Sequence, residues 1–207
     1  MTIRLNGSTS GYTELDAQAV AGSNTLRLPA NNGSAYQLLK NGATPGQLEY
    51  GSSIVSGTAQ GWGSAAIDFT GIPSWAKRVT VMFNSVSTTG TSSLLIQIGD
   101  PNAGIQTVGY SSACQYGSSG SIAHTFSTAG FIVYTFASSD LKAGLVTLCS
   151  MGSPNVWVAS GSLRVSNTQL VSCSGDKALA APLDRVRITT VNGTDTFDVG
   201  SINILYE

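Results

Sequence analysis

A single histidine, His124 in "SIAHTFS", is the only imidazole the chain offers for acid–base work at neutral pH. One histidine in a strand-like run reads as structural. Serines are abundant, but no G-x-S-x-G elbow presents one of them to a base. Glycoside hydrolysis needs two facing carboxylates. With 11 acidic residues a pair can form, although enzymes that grip a polysaccharide usually run longer than 207 residues. Asp195 and Asp198 in "TDTFDVG" come nearest to a calcium set, and both flank strand residues. Cys114, Cys149 and Cys173 make an odd count without zinc spacing. They read as buried thiols, with one disulfide left open. No phosphate-cradling glycine motif precedes a helix. The pattern points away from an enzyme and implies neither a metal nor a cofactor.

Recognition has better candidates. "GYSSACQYGSSGS" (109–121) reads as a long loop carrying Tyr110, Gln115 and Tyr116. Tyrosines ringed by neutral hydrogen-bonding side chains suit a sugar, the ring stacking while the hydroxyls are paired. The alternative is a loop that folds back on its own tyrosines. "SCSGDKALA" (172–180) is the second candidate loop, with Asp176 and Lys177 as polar contacts. Trp157 alternates with Val156 and Val158, so it is either core or an outward platform. Trp62 and Trp75 read as packing residues.

These residues need a scaffold, and composition constrains it. Hydrophobic residues make up 42% of the chain, enough for a real core. Charged residues make up only 10%, against about 25% in an average soluble domain. Solubility must come from Ser, Thr, Asn, Gln and 24 glycines. With a net charge of −1 and no basic stripe, nucleic acid is excluded as a partner. Mean hydropathy is +0.13, yet no apolar run approaches the ~20 residues of a spanning helix. Membrane insertion is therefore not expected. "MTIRLNGSTSGYTE" lacks the apolar core of a secretory signal, and the cysteine usage suits folding in a reducing cytoplasm.

Beyond the joint "SSIVSGTAQGWGS" (52–64) the pattern is almost wholly β. "AAIDFTGI", "RVTVMFNSV", "SSLLIQIGD", "GIQTVGY", "SIAHTFST", "GFIVYTFA", "GLVTLCSM", "NVWVASGSLRVS", "DRVRITTV", "DTFDVG" and "SINILYE" are candidate strands. They recur roughly every 10–15 residues between Gly, Asn, Ser or Pro, the mark of a sandwich or barrel. Only 138–145 and 176–185 have helical flavour, and Pro182 cuts the second short. The expectation is an antiparallel β-sandwich over 59–207, close to a jelly roll, with about eleven strands.

The segment 1–58 poses a different problem. Leu26 and Leu28 alternate with Thr25 and Arg27, and Pro29 stops the run. Asn31-Asn32-Gly33-Ser34 supplies a turn. Tyr36, Leu38 and Leu39 form a second run, and Gln47–Tyr50 a third. Sheets this small are marginal alone, so these strands pack on the rest of the chain or on copies of themselves.

"GYTELDAQAVAGSNTLRLP" followed by "NGSAYQLLK" resembles a repeat in tail fibres of tailed bacteriophages, cyanophages especially. "FTGIPSWAKRVTVMF" and the ending "TFDVGSINILYE" resemble a head domain at the C-termini of such fibres. The resemblance is specific in the N-terminal run and in "FTGIPSWAKRVTVMF", and weak over 110–180. It implies an intertwined parallel homotrimer in the virion tail. An N-terminal stalk (1–58) would attach to a baseplate or tail adaptor. A C-terminal knob (59–207) would bind a host surface glycan such as lipopolysaccharide. A purely structural virion protein is the alternative reading, and a small polysaccharide depolymerase the second.

Overall fold

The computed structural model describes residues 3–6, 9–15, 22–34, 37–118, 121–152, 155–166 and 169–207. The chain forms two compact units, Met1–Ser53 and Ile54–Glu207. The division falls inside the Gly/Ser-rich stretch, at 53/54 rather than 58/59. Residues 54–60 join the second unit because they pair with its last strand: Gly57 N–H donates to the Ile204 carbonyl, and Gln60 and Ile202 exchange backbone hydrogen bonds, each at 2.8 Å.

In the first unit β1 (Ile3–Asn6) pairs with β2 (Tyr12–Leu15), and β3 (Leu38–Asn41) with β4 (Leu48–Gly51). Arg4 lies over the Tyr12 ring, 4.1 Å from its centroid, and donates to Glu14 at 2.7 Å. Residues 24–28 make no full strand. Only Arg27 bridges, in parallel, to Gln47. Leu26 and Leu28 are each 69% exposed rather than half-buried. The expected turn at 31–34 forms, with Gly33 at φ 66° and its N–H on the Asn31 side chain at 3.1 Å. Tyr36 lies outside the described residues. Among the described residues of this unit none is buried.

The second unit is all-β, and among the described residues of the chain there is no helix. Its strands are β5 (Val55–Ser56), β6 (Ala66–Thr70), β7 (Arg78–Thr88), β8 (Leu94–Asp100), β9 (Gly104–Ile105) and β10 (Ser111–Ser118). They continue with β11 (Ser121–Ser127), β12 (Phe131–Val133), β13 (Lys142–Ser150), β14 (Val156–Ser166), β15 (Gln169–Ala178), β16 (Arg185–Thr190) and β17 (Phe197–Tyr206). An eight-stranded antiparallel sheet runs β11-β10-β15-β14-β13-β7-β17-β5. A five-stranded sheet runs β12-β8-β16-β6, with β9 on β8. Both sheets contribute to one core cluster, the arrangement of a β-sandwich. The jelly-roll comparison extends only to the two layers, since the sheets are unequal.

Period-two patterning explains the core. In β7, Val79, Val81 and Phe83 point in while Thr80 and Met82 point out. The phase then changes at a bulge, where Ser85 takes φ 53° opposite Gly200 at φ 84°. Every residue of β8 is buried, as befits a strand covered on both faces. Trp157 is core. Trp62, expected to pack, is instead 74% exposed on a turn, and Trp75 is half-exposed with its ring 5.8 Å from that of Tyr206.

Four stretches differ from expectation. Residues 138–145 and 176–185 are not helical: β13 and β15 run through them, joined to their neighbours by turns. At the first, the Asp140 carboxylate accepts the N–H groups of Phe136 and Ala137 at 2.7 and 2.8 Å, closing a turn. The two expected recognition loops, 109–121 and 172–180, are largely β10 and β15, which pair with each other.

Candidate functional site

Alternation along β10 and β15 sorts the expected site residues onto two faces. Ser112, Cys114 and Tyr116 point toward the core, whereas Ser111, Ala113 and Gln115 point out. Tyr110 precedes β10 and is buried; its ring meets Phe131 edge-on at 5.1 Å. Its hydroxyl accepts from Ile98 N–H at 2.7 Å and lies 3.0 Å from the Gln106 carbonyl. Burial pushes that phenol well above its usual range. Tyr110 is thus a structural strut rather than a loop tip. Tyr116 is half-buried and stacks on Tyr134 with centroids 3.7 Å apart, and Phe136 meets it edge-on at 5.3 Å. The reading in which these tyrosines fold back on the protein fits both.

On β15, Lys177 is buried with its ammonium 5.4 Å from the Tyr110 ring centroid. Asp176 is exposed, opposite Ser111 and Val158. Of the five residues, Gln115 and Asp176 therefore share the outer face, and Tyr110, Tyr116 and Lys177 lie behind it.

That outer face is ordered by register. One row reads His124–Gln115–Ser172–Ser162–Leu145–Met82–Asn203 across six strand pairings. The next row reads Phe126–Ala113–Ser174–Ser160–Thr147–Thr80–Leu205. Within these two rows the end near β11 is uncharged and mostly polar apart from Phe126, with Ile122 and Leu170 exposed beyond the first row; the end near β5 carries Met82, Leu145 and Leu205. At the polar end small residues on β10, β14 and β15 meet larger ones on the edge strand β11. The result is a depression of about 450 Å³ lined by Ala113, Gln115, His124, Phe126, Ser160, Ser172 and Ser174. His124 and Phe126 approach with centroids 5.2 Å apart, and Phe126 is 69% exposed. At the other end a smaller depression of about 270 Å³ is lined by Ile54, Thr80, Leu145, Leu205 and the Arg78–Glu207 ion pair.

Electrostatics hold the two thiols beneath the polar depression in their protonated form. Cys114 and Cys173 are register partners beneath it, both free thiols. Burial raises the Cys114 thiol, and burial followed by the neighbouring Cys114 pushes Cys173 up to about 12. Both stay protonated at neutral pH, when thiols are poor nucleophiles. Asp195 and Asp198 take separate partners: Asp195 accepts from Ser92 N–H at 3.1 Å and Asn192 at 2.7 Å, and Asp198 accepts from the Ser87 hydroxyl. Among the described residues no group of three His, Cys, Asp or Glu side chains gathers.

Two features escaped the sequence reading. The first is the composite face itself, because Ser160, Ser172, Ser174 and Phe126 meet only through register. Alternation of Ser with Val and Cys in "LVSCS" was the available signal. The second is Lys142, 1% exposed inside the sandwich near Asp140 and Asp198. Burial lowers its ammonium to about 8 against the opposing pull of those carboxylates. Comparison of the chain with protein-family models, curated proteins and solved structures returned no match.

Proposed function

We propose that this chain is a tail-fibre protein of a tailed bacteriophage, a homotrimer in the virion tail. Its β-sandwich head would attach the particle to a neutral glycan on the host surface. Residues 1–53 would attach the head to a baseplate or adaptor. The observation that carries this reading is the first unit: among its described residues no side chain is buried, although Leu5, Leu15, Leu26, Leu28, Leu38 and Leu39 are all apolar. Burying a Leu contributes roughly 1.5–3 kcal/mol. A segment that spends none of that alone is suited to spend it against two other copies around a three-fold axis. Glycan recognition is supported by the uncharged depression beside β11 on the outer face of the large sheet.

A weak single site would suffice. Three sites on a head, and several heads on a particle, raise avidity by ~10²–10⁴. Light scattering coupled to chromatography is expected to give three times the chain mass, and the purified protein is expected to block adsorption of a phage to its host. A monomer at micromolar concentration would refute the assembly. A trimer that blocks no adsorption would favour a purely structural virion protein. Release of reducing ends from host polysaccharide would favour a depolymerase.

A further inference from the structure

We infer that the depression beside β11 is a subsite for one neutral pyranose ring, stacked on Phe126 and hydrogen-bonded by Gln115, His124 and the serines of its floor. This rests on the glycan-receptor reading above and gives it a location.

Three observations converge. The first is shape. Ala113, Ser172, Ser174 and Ser160 form a low floor on three adjacent strands, and His124 and Phe126 stand at its edge. The volume of about 450 Å³ exceeds that of a single sugar ring, so solvent or a second residue has room beside it. The second is the aromatic wall. Phe126 exposes most of its ring on an edge strand, where no protein side chain other than His124 has a ring contact with it among the described residues. An aromatic face of that kind suits the C–H face of a pyranose.

The third is unspent hydrogen-bonding capacity. Several serine hydroxyls elsewhere in the second unit are engaged: Ser112 accepts Ile132 N–H at 3.0 Å, Ser92 accepts Asn192 N–H at 3.0 Å, and Ser64 donates to Ala66 at 2.8 Å. The side chains of Gln115, Ser160, Ser172 and Ser174 have no such partner among the described residues. Together they supply donors and acceptors without formal charge. A polyhydroxylated neutral ring uses both kinds, and it does not require the desolvation of an ion. An anionic ligand would find the exposed Asp176 on the same face, two residues along β15 from Ser174.

The test uses the full chain and a panel of methyl glycosides of glucose, galactose, mannose and N-acetylglucosamine. Saturation-transfer NMR reports binding, and adsorption blocking reports function. Phe126 is exposed, so Phe126→Ala is expected to fold and assemble as the wild type does. At least one glycoside is expected to bind at millimolar concentration, about tenfold more weakly to Phe126→Ala and with retention in Phe126→Tyr. Ser172→Leu, which fills the floor, is expected to abolish the signal. Equal glycoside binding by wild type, Phe126→Ala and Ser172→Leu would overturn the subsite. So would a changed oligomeric state in Phe126→Ala, which would make the patch a contact between copies. If the wild type blocks adsorption and the two variants block it equally, the receptor reading stands and the subsite fails. Binding lost in both variants without adsorption blocking by the wild type would leave the subsite and overturn the receptor role. No glycoside signal from the wild type overturns the subsite.

Discussion

Leu28 and Leu148 are the same side chain in opposite circumstances. Leu28 is 69% exposed in the first unit, and Leu148 is 0% exposed between the sheets of the second. The difference is one of topology. Between residues 54 and 207 the chain crosses repeatedly from one sheet to the other, so each apolar strand face meets another from the same chain. Between residues 1 and 53 the described residues form two two-stranded sheets, and none of the described apolar side chains there is buried. A similar alternation thus yields an autonomous core in one region and an unfinished surface in the other.

The sharpest way to break this contrast is to separate the units. Residues 54–207 are expected to remain folded, with β-type circular dichroism and cooperative melting. Residues 1–53 are expected to be disordered alone. An independently folded, monomeric 1–53 would show that its hairpins suffice without copies.

Single truncations probe the same contrast more finely. Leu148→Ala should cost about 2–5 kcal/mol, measured by denaturant unfolding of residues 54–207. In a monomer Leu28→Ala should stay within ±0.5 kcal/mol or so, as for other surface changes. In the assembled protein it should weaken association, read as a rise in the dissociation concentration. A neutral Leu28→Ala in the assembled protein would remove Leu28 from any interface between copies.

Lys142 sharpens the contrast from within the core. Burial holds its ammonium at about 8, below the 10.5 ordinary for lysine. At pH below 8 it is protonated in both states, and the desolvation penalty is fully present. As pH rises from 8 toward 10.5 the unfolded chain holds the extra proton, so stability rises across that window. Lys142→Met should therefore gain up to roughly 3 kcal/mol at pH 7. The difference between variant and wild type should shrink with pH above 8. A pH-independent difference would mean that Lys142 stays charged when folded.

A further test lies at Gly175, where β15 passes β10 closely. A Cβ there would sit 2.4 Å from the Ser111 carbonyl oxygen and 3.1 Å from the Phe131 ring. Gly175→Ala should cost about 1–3 kcal/mol through overpacking, measured by thermal melting of residues 54–207. A neutral result would show that β10 and β15 can move apart.

Strands built from Val, Ile, Leu and Phe were legible because their hydropathy alternates, as in β6, β7, β14 and β16, or because they carry short apolar runs, as in β8, β13 and β17. Strands β10 and β15 were not. Their inward residues include Ser112, Cys114, Cys173 and Lys177, and their outward residues are mostly Ser, Ala, Gln and Gly, so burial alternates throughout while hydropathy alternates only over the short run Val171–Ser174. Tertiary pairing overrode a composition that reads as loop. The candidate site shared that fate. Gln115 was legible as a recognition residue by its type. Phe126 and Ser174 were not, because 48 residues of chain separate two side chains that face Ala113 from either side.

The joint between the units also sets how the chain carries load. β5 holds the edge of the large sheet by two register pairs, Ser56 with Leu205 and Val55 with Tyr206, followed by the Gln60–Ile202 bridge. A pull on residue 53 therefore reaches Val55 and its pairing with Tyr206 before any other strand of the sandwich. Residues 54–60 would detach before tension reached β17, freeing seven residues of chain as added tether. The edge strand would then act as a shock absorber: it would yield early, extend, and re-form when the pull relaxed, while the sandwich behind it stayed intact.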